Sequence, residues 1–214
     1  MLNMNIPEEE MDIFSSLVKV GQPVPDFEFE VYQKEAKDEM KKVRFSDYKG
    51  KWVVVFFYPA DFTFVCPTEL AELADSYEAF KKLDVEIISV SSDTVFTHKA
   101  WHDTSETIKK IKFPMAADPA GRLATAFGTL IDSAGLDHVA DEGLALRGTF
   151  IIDPEGVLKT SEIHDNSIGR SAKELLRKVK AAQFVASHGG QVCPAGWDEG
   201  DDTLTPGMDL VGKI

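Results

Sequence analysis

Cys66 stands in a sequence context that favours an ionised, nucleophilic thiol. It follows the apolar run at residues 52–58 and the irregular stretch 59–65, and a helical pattern begins directly after it. A cysteine in the first turn of a helix faces unsatisfied backbone N–H groups and the positive end of the helix dipole, and both favour the thiolate. Pro67 suits that turn because its missing N–H costs no hydrogen bond there. Taken alone, Cys66 could equally fill space between a strand and a helix.

The other cysteine, Cys193, lies far along the chain, in a C-terminal segment rich in Gly, Pro and Asp. The two cysteines form neither a Cys-x-x-Cys motif nor a zinc-type Cys/His cluster. A stable structural disulfide is not expected in a reducing compartment, and two inert buried thiols are the plain alternative to a redox pair. Thr63, three residues before Cys66, can present its hydroxyl near the Cys66 sulfur or near an incoming oxygen.

Composition excludes several classes of function. The net charge of −13, without a compensating Lys/Arg cluster, argues against a nucleic-acid partner. No apolar run approaches the roughly 20 residues that span a bilayer, and the acidic N-terminus lacks the features of a secretory signal, so we expect a cytoplasmic protein without a membrane partner. There is no GxGxxG or GxxxxGK[ST] loop, so no nucleotide or flavin cofactor is expected.

Two histidines, His98 and His102, share one face of a predicted helix. This spacing occurs in zinc sites, but Lys99 follows His98 where a metalloprotease has Glu, and no third ligand suggests itself. We therefore expect no metal site, and we interpret both as helix-surface or interface histidines that flank Trp101. A group of phenylalanines near Cys66 is interpreted as mostly core, with one or two of them lining an apolar pocket: Phe56, Phe57, Phe62 and Phe64.

The order of predicted elements indicates an α/β protein with a central mixed sheet flanked by helices. Apolar patterns predict strands at residues 25–32, 43–45, 52–58, 85–91, 113–116, 149–153 and 157–161. They predict helices at residues 68–83, 96–111, 121–127 and 171–187, the last with a Ser171-x-x-Glu174 capping box. This order resembles the thioredoxin-like fold. We expect an N-terminal extension (1–19), one domain (20–187) and an extended C-terminal tail (188–214).

Three sequence blocks resemble a known family. Pro59-x-x-x-Thr63-x-x-Cys66, within FYPADFTFVCPTEL, is similar to the active-site signature of typical two-cysteine peroxiredoxins of the bacterial alkyl hydroperoxide reductase C type. The block GQVCPAGW around Cys193 and the terminal DLVGKI resemble two further blocks of that group, in the same order. The resemblance extends from about residue 20 to the C-terminus.

The resemblance implies a role for each matching residue in a cofactor-free thiol peroxidase. Cys66 matches the peroxidatic cysteine, whose thiolate attacks the peroxide and becomes a sulfenic acid. Thr63 matches the residue that hydrogen-bonds the peroxide, and Pro59 matches the proline that shields the pocket from water. Arg147 matches the arginine that stabilises both the thiolate and the departing oxygen, and Glu69 matches the carboxylate that orients this arginine.

The resemblance also implies partners. Cys193 matches the resolving cysteine, which condenses with the Cys66 sulfenic acid of the neighbouring subunit in an antiparallel homodimer, itself part of a ring of dimers (a decamer). An internal disulfide remains the alternative from the residues alone. Hydrogen peroxide and small organic hydroperoxides are the implied substrates. The implied electron donor is a disulfide reductase, either a flavoprotein of the alkyl hydroperoxide reductase F type or a thioredoxin.

The sequence departs from the family pattern in two places. The loop at residues 128–146 is longer than expected for the bacterial group, and the chain lacks the Gly-Gly-Leu-Gly and C-terminal Tyr-Phe elements of oxidation-sensitive relatives. We therefore expect resistance to overoxidation of Cys66.

A holdase chaperone or structural ring on the same fold is the first alternative function. A thiol–disulfide transferase is the second, and the absence of Cys-x-x-Cys disfavours it.

Overall fold

A seven-stranded mixed β-sheet organises the described part of the chain, residues 17–132 and 141–213 of the computed structural model. The strands are β1 (Glu28–Tyr32), β2 (Met40–Arg44), β3 (Trp52–Phe57), β4 (Val85–Ser91), β5 (Met115–Ala117), β6 (Arg147–Ile152) and β7 (Leu158–His164). Their order in space is β2-β1-β5-β4-β3-β6-β7. The β3–β4 and β4–β5 pairs are parallel, and the outer pairs are antiparallel. The predicted mixed sheet is confirmed.

The helices are shorter than the sequence pattern predicts. They are α1 (Cys66–Asp75), α2 (Tyr77–Lys82), α3 (Val95–Thr104), α4 (Arg122–Ala126) and α5 (Ala172–Ser187), with 3-10 turns at Phe45–Tyr48, Ile108–Lys110 and Met208–Leu210. The helix predicted at residues 68–83 is divided at Ser76 into α1 and α2. The helix predicted to reach residue 111 ends at Thr104, because Ser105 has extended backbone angles that stop the helical ladder.

Strand β3 is buried on both faces because it lies between β4 and β6 and has helices on either side of the sheet. Its sequence WVVVFF is apolar throughout, as expected for a central strand. One set of alternating side chains, including Val54 and Phe56, joins a core with residues of α1, α2, α3 and α5. The other set, including Val55 and Phe57, joins a core with residues of α4. The sheet is therefore the layer between two apolar cores.

Sheet topology brings two distant segments to the same edge. Strand β3 ends at Phe57, and the loop that follows leads to α1, which begins at Cys66. Strand β6 runs antiparallel to β3 with Phe56 opposite Thr149, so the beginning of β6 lies beside the end of β3. Arg147, the first residue of β6, is thereby placed next to the first turn of α1.

The first turn of α5 contains half of the predicted capping box. The Ser171 hydroxyl accepts a hydrogen bond from the backbone N–H of Glu174 at 3.4 Å. The Glu174 carboxylate is engaged by the guanidinium of Arg177 through two hydrogen bonds of 2.8 Å, instead of returning to the cap. The ion pair with Arg177 replaces the second half of the motif because the two residues lie one turn apart on the same face.

The C-terminal tail returns to α5 after the helix ends. Trp197 is buried, its ring packs 5.1 Å from that of Phe184, and its carbonyl accepts a 2.6 Å hydrogen bond from Arg177. An antiparallel bridge between Val192 and Leu204 closes the tail into a loop. Cys193 is thereby held against the surface of α5.

Two of the sequence-based expectations concern residues outside the described ones. Residues 1–16 of the expected N-terminal extension and residues 133–140 of the long loop are not described. The base of that loop is a short antiparallel pairing, with a bridge between Leu130 and Ala145 and a 2.9 Å hydrogen bond from the Ile131 N–H to the Leu144 carbonyl. Within residues 17–132 and 141–213, no helix is long and apolar enough to cross a membrane.

Replacing Gly148 by Ala is expected to destabilise the fold by about 1–3 kcal/mol through overpacking. A Cβ atom at this position would lie 2.5 Å from Thr129 Cγ2 and 2.7 Å from Phe150 Cε2, inside the core between β6 and the base of the loop. Gly189→Ala is the matched control, because a Cβ there meets nothing within 4 Å. Urea unfolding of the reduced proteins at one concentration measures both. Equal stabilities for the two variants would contradict this account of the packing.

Candidate active site

Cys66 is the first residue of α1 and is completely buried, with 0% of its surface exposed. Val65 is the N-cap residue, and Pro67 occupies the first turn, where the sequence predicts it. The sulfur therefore lies at the N-terminal end of the helix, where the dipole and the free N–H groups favour negative charge. The predicted position of Cys66 in the first helical turn is confirmed.

Arg147 contacts the sulfur of Cys66 directly. Its Nη1 lies 3.5 Å from Cys66 Sγ and donates a 2.7 Å hydrogen bond to Glu69 Oε2. Its Nε donates to the carbonyl of Asn166 at 2.9 Å, so the guanidinium is held from two sides. The arginine is itself buried, and burial strengthens its interaction with any charge on the sulfur. The structure thus brings Cys66, Glu69 and Arg147 into one cluster.

A second arginine, Arg170, completes the cluster and was not anticipated from the sequence. Its Nε and backbone N–H donate to Glu69 Oε1 at 2.9 and 2.7 Å, and its Nη2 donates to Glu69 Oε2 at 3.0 Å. The carboxylate of Glu69 therefore accepts from both arginines at once. No sequence motif indicates a role for Arg170. It follows Gly169 in a polar segment just before α5, where an arginine is normally an exposed surface residue.

Arg170 is fixed on its other sides by the sheet. Its Nη1 donates to the Gly148 carbonyl at 2.7 Å and to Thr149 Oγ1 at 3.0 Å, both on β6. Its guanidinium carbon lies 3.4 Å from the centroid of the Phe56 ring on β3, a stacked cation–π contact. Burial lowers the pKa of Arg170, and the hydrogen bonds and charge of Glu69 oppose this effect. Arg170 therefore joins β3, β6 and α1 in one polar contact.

The two arginines determine the charge state of Glu69. Burial alone raises the pKa of its carboxyl group, but the hydrogen bonds and charge of Arg170, with the charge of Arg147, outweigh burial and lower the pKa below its usual value. Glu69 is therefore a carboxylate at neutral pH. Its contribution to stability is present above the unfolded-state pKa of about 4.3 and is lost as pH falls through the lower folded-state value.

Pro59 and Thr63 lie in the loop between β3 and α1. Pro59 is buried, directly beyond the end of β3. Thr63 is half-buried, and its hydroxyl donates a 2.9 Å hydrogen bond to the carbonyl of Ala60. Because the single hydroxyl proton is used in that bond, the oxygen of Thr63 is left as an acceptor toward other groups.

Asp61, in the same loop, is the centre of a buried polar cluster. Its Oδ1 accepts from the Tyr58 hydroxyl at 2.7 Å, and its Oδ2 lies 2.8 Å from His98 Nδ1. The backbone N–H of Asp61 donates to Asp93 Oδ2 at 2.7 Å. Burial raises the pKa of Asp61, against the lowering effect of its hydrogen bond with His98. The sequence did not indicate this cluster, because its members come from three separate segments.

The interpretation of the two histidines as surface or interface residues is wrong. His98 is completely buried, and its Nε2 donates to the Ala116 carbonyl on β5 at 3.1 Å. His102 is also buried, with Nε2 donating to the Ile111 carbonyl at 3.2 Å. They are accommodated in the core because each finds a backbone acceptor. Among the described residues, no group of three or more His, Cys, Asp or Glu is placed to hold a metal ion.

The expectation for the phenylalanines is correct for β3 and wrong for the loop. Phe56 and Phe57 are core residues, whereas Phe62 and Phe64 are 57% and 92% exposed. Phe62 also has a φ of +56°, a backbone conformation that bulky residues rarely adopt. The alternation of apolar and polar residues cannot predict whether these two rings are buried, because the loop has no regular periodicity.

Cys193 is half-buried on the tail, with its sulfur 3.9 Å from the Ala181 carbonyl of α5. Burial raises the pKa of its thiol, and the charge of Arg177 opposes this only in part. Cys193 is therefore a thiol at neutral pH. The surroundings of the two cysteines differ: Cys66 faces an arginine and a helix N-terminus, whereas Cys193 faces a carbonyl oxygen.

Two protein-family models match the chain. Residues 20–161 match the model described as the AhpC/TSA family. Residues 181–209, which include Cys193, match the model described as the C-terminal domain of 1-Cys peroxiredoxin. The first match contains β1 to β6, most of β7 and the Cys66 cluster except Arg170.

Similar proteins of known name and structure cover most of the chain. Alkyl hydroperoxide reductase C of Salmonella typhimurium is 55% identical over 176 residues, which are 82% of this chain and 90% of that protein. The crystal structure of Enterococcus faecalis AhpC is 47% identical with a TM-score of 0.74, covering 83% of this chain and all of that one. The reduced Plasmodium vivax 2-Cys peroxiredoxin is 31% identical with a TM-score of 0.80, covering 89% and 94%. These neighbours confirm the predicted thioredoxin-like fold.

Replacing Glu69 by Gln is expected to lower the free energy of unfolding by about 3 kcal/mol at pH 7, because two buried arginines lose their carboxylate. The loss is expected to shrink as pH falls below about 4.3 and through the lower folded-state pKa of Glu69, because the wild-type carboxylate then becomes protonated and its contribution disappears. Urea unfolding at a series of pH values from 7 down to about 3 measures the difference. Glu72→Gln, on the exposed side of α1, is the matched control and should change stability by less than about 0.5 kcal/mol. A pH-independent difference would contradict the charge argument.

Proposed function

The chain belongs to the AhpC/TSA family, in its bacterial AhpC-type group, and we propose that Cys66 is the residue with which it attacks peroxides. The protein is a thiol-dependent peroxidase of the peroxiredoxin class, which reduces hydroperoxides to water or alcohols. The single observation that carries the assignment of Cys66 is the 3.5 Å contact between its sulfur and Arg147 Nη1, at a helix N-terminus. A buried cation at this distance favours the thiolate, which is the nucleophilic form.

The first step is attack of the Cys66 thiolate on one peroxide oxygen. A sulfur–oxygen bond forms, the O–O bond breaks, and Cys66 becomes a sulfenic acid while the second oxygen leaves as an alkoxide or hydroxide and takes up a proton. Arg147 stabilises the negative charge as it moves from the sulfur to the leaving oxygen. Thr63 accepts a hydrogen bond from the peroxide O–H, since its own proton is used on Ala60. Pro59 shields the pocket from water.

Glu69 and Arg170 act through Arg147. The carboxylate of Glu69 receives a 2.7 Å hydrogen bond from the same Nη1 that contacts the sulfur, so it fixes the direction of that nitrogen. Arg170 fixes Glu69 in turn, because its backbone N–H, Nε and Nη2 each donate a hydrogen bond to the carboxylate. Each guanidinium is therefore held in place before the substrate arrives, which avoids reorganisation during the reaction.

The second step is condensation of the Cys66 sulfenic acid with Cys193. The new S–S bond releases water, and two electrons from an external dithiol later restore both thiols. We place the partner sulfur on the neighbouring subunit of an antiparallel homodimer, in a ring of dimers. The donor is a disulfide reductase, either an AhpF-type flavoprotein or a thioredoxin, and the compartment is the cytoplasm, where such donors keep thiols reduced.

One observation favours a second cycle. The segment that contains Cys193 matches a model named for the 1-Cys peroxiredoxins. That name implies a single essential cysteine. In that cycle an external thiol, and not Cys193, would reduce the Cys66 sulfenic acid. The holdase-chaperone alternative is not favoured, since the relatives of known name are reductases and peroxiredoxins.

Two serine variants test the roles of the cysteines. Cys66→Ser is expected to abolish peroxide consumption by the reduced protein, because the nucleophile is lost. Cys193→Ser is expected to consume one equivalent of peroxide and then stop, with Cys66 as a sulfenic acid on intact-mass analysis. A non-reducing gel of the same samples should show a disulfide-linked dimer for the wild type alone. Sustained turnover of Cys193→Ser with a dithiol would instead support the one-cysteine cycle.

Arg147→Lys tests the guanidinium beside the sulfur. Lysine keeps the charge, but one ammonium group cannot reach Cys66, Glu69 and the Asn166 carbonyl together. We expect the second-order rate constant for reaction with hydrogen peroxide to fall by about tenfold to a hundredfold, measured by stopped-flow mixing. Arg44→Lys, which alters an exposed ion pair on β2, is the control and should leave the rate constant unchanged. An unaltered rate constant in Arg147→Lys would show that the guanidinium of Arg147 takes no part in the reaction with peroxide.

A further inference from the structure

The loop at residues 59–65 must leave its position during the catalytic cycle. Cys66 has no exposed surface in the structure, whereas disulfide formation requires the sulfur of a second cysteine at about 2 Å. A second chain segment cannot reach a sulfur enclosed between Arg147 and the start of α1 unless the loop or the first helical turn moves away. The contacts that hold the loop closed therefore affect how fast the disulfide forms.

The polar contacts that tie the loop to the rest of the fold converge on Asp61. Its carboxylate binds the Tyr58 hydroxyl at 2.7 Å and His98 on α3 at 2.8 Å, and its backbone N–H binds Asp93 at 2.7 Å. Asp93 is itself held by the Ser91 hydroxyl at the end of β4, at 2.8 Å. We call Tyr58, Asp61, Asp93 and His98 the loop latch.

The latch lies outside the Cys66 cluster, and its members are buried except Asp93, which is half-buried. The side chains of Asp61 and His98 are 1% and 0% exposed, so their hydrogen bonds form where competition with water is small. His98 is anchored on its far side by the Ala116 carbonyl of β5 at 3.1 Å, which fixes the ring that holds Asp61. A rigid element of the sheet therefore supports the latch, and the latch supports the loop.

Phe62, the residue after Asp61, shows that the closed loop is strained. Its φ of +56° costs a bulky residue conformational energy, and such conformations persist only when their surroundings enforce them. Phe62 is more than half exposed, and its ring lies 5.8 Å from the Trp101 ring. On one side of Phe62 the loop is bound to the rest of the fold by the hydrogen bonds of Asp61, and on the other side the Thr63 hydroxyl bonds only within the loop, to Ala60. Without the hydrogen bonds of Asp61, the loop from Phe62 to Thr63 would relax away from its closed shape.

We propose that Asp61 is a positioning residue whose hydrogen bonds to Tyr58, Asp93 and His98 set the balance between a closed loop that reacts with peroxide and an open loop that forms the disulfide. The closed loop holds Pro59 and Thr63 against the pocket and enables the first step. The open loop exposes Cys66 and enables the second. This inference rests on the proposed peroxidase cycle, and it predicts that weakening the latch slows one step while it accelerates the other.

Tyr58→Phe and Asp61→Asn test the latch. Tyr58→Phe deletes one hydroxyl from a fully buried ring and so keeps the core packing. Tyr32→Phe is its matched control, because Tyr32 is equally buried and its hydroxyl has no hydrogen-bond partner among the described residues. The second-order rate constant for Cys66 oxidation and the first-order rate constant for disulfide formation are measured separately by rapid-quench mass analysis with hydrogen peroxide.

In Tyr58→Phe we expect disulfide formation to accelerate about threefold to tenfold, as expected for the loss of one buried hydrogen bond, while oxidation of Cys66 slows. Asp61→Asn should change both rates in the same directions and further, with less sulfinic acid at high peroxide because the sulfenic acid is consumed sooner. Tyr32→Phe should leave both rates within about twofold of wild type. Unchanged rates in Asp61→Asn, or a parallel fall of both, would overturn the proposal.

Hydrogen exchange separates failure of the latch from failure of the proposed function. In reduced protein without peroxide, the amides of residues 60–66 should exchange faster in Tyr58→Phe and Asp61→Asn than in wild type and Tyr32→Phe. Faster exchange together with no Cys66-dependent peroxide consumption in the wild type would refute the peroxidase assignment and leave the latch as a structural device. Unchanged exchange in both latch variants, with normal peroxide consumption, would refute the latch alone.

Discussion

A single buried carboxylate, that of Glu69, is the interaction on which the arrangement of the site depends. Both of its oxygens are used, and the two arginines that bind them come from segments far apart in sequence, at the start of β6 and just before α5. The guanidinium that contacts the sulfur could not be buried without this carboxylate, because an uncompensated buried charge is costly. Glu69 lies one helical turn after Cys66, so the helix that presents the sulfur also presents the counter-ion.

This arrangement explains why the site needs the mixed sheet. Strand β3 delivers the chain to α1 at one edge, and the antiparallel partner β6 begins at that same edge with Arg147. A parallel β6 would start at the opposite edge and place the arginine a strand length away. The loop between β3 and α1 is held by contacts with His98 on α3 and with Asp93, which is itself bound to the end of β4. The sheet topology therefore positions the charge of Arg147 beside Cys66, and the hydrogen bonds of Asp61 hold the loop that borders the pocket.

The local pattern of apolar residues was sufficient to predict the two central strands of the sheet. The run WVVVFF predicts β3, and VEIISVS predicts β4 with the bounds that the structure has, because a central strand needs apolar residues on both faces. The pattern predicts a helix from residue 68 with Cys66 in or just before its first turn, and in the structure α1 begins two residues earlier, at Cys66 itself. The pairing of Glu69 with Arg147 was available only through the family resemblance, since nothing in the spacing of the two residues indicates contact.

The sequence could not reveal interactions between residues that are far apart and individually ordinary. Arg170 has the surroundings of a surface arginine until Glu69 is placed in space. His98 was interpreted as a helix-surface or interface residue, whereas a buried carboxylate and a backbone carbonyl satisfy both of its ring nitrogens. Phe62 and Phe64 were grouped with phenylalanines interpreted as mostly core, whereas the irregular loop leaves both rings more than half exposed.

In the cycle that we propose, the net charge of the cluster formed by Cys66, Glu69, Arg147 and Arg170 changes during turnover. Two buried guanidinium groups face one carboxylate, so the cluster carries one excess positive charge, which a thiolate on Cys66 neutralises. Once Cys66 becomes a sulfenic acid, that negative charge has left with the departing oxygen and the excess positive charge is uncompensated. A buried uncompensated charge favours any motion that admits water. In the proposed cycle, the neutral cluster therefore stabilises the closed pocket before the reaction with peroxide, and the uncompensated charge weakens the closed pocket afterwards, when the sulfur must become accessible.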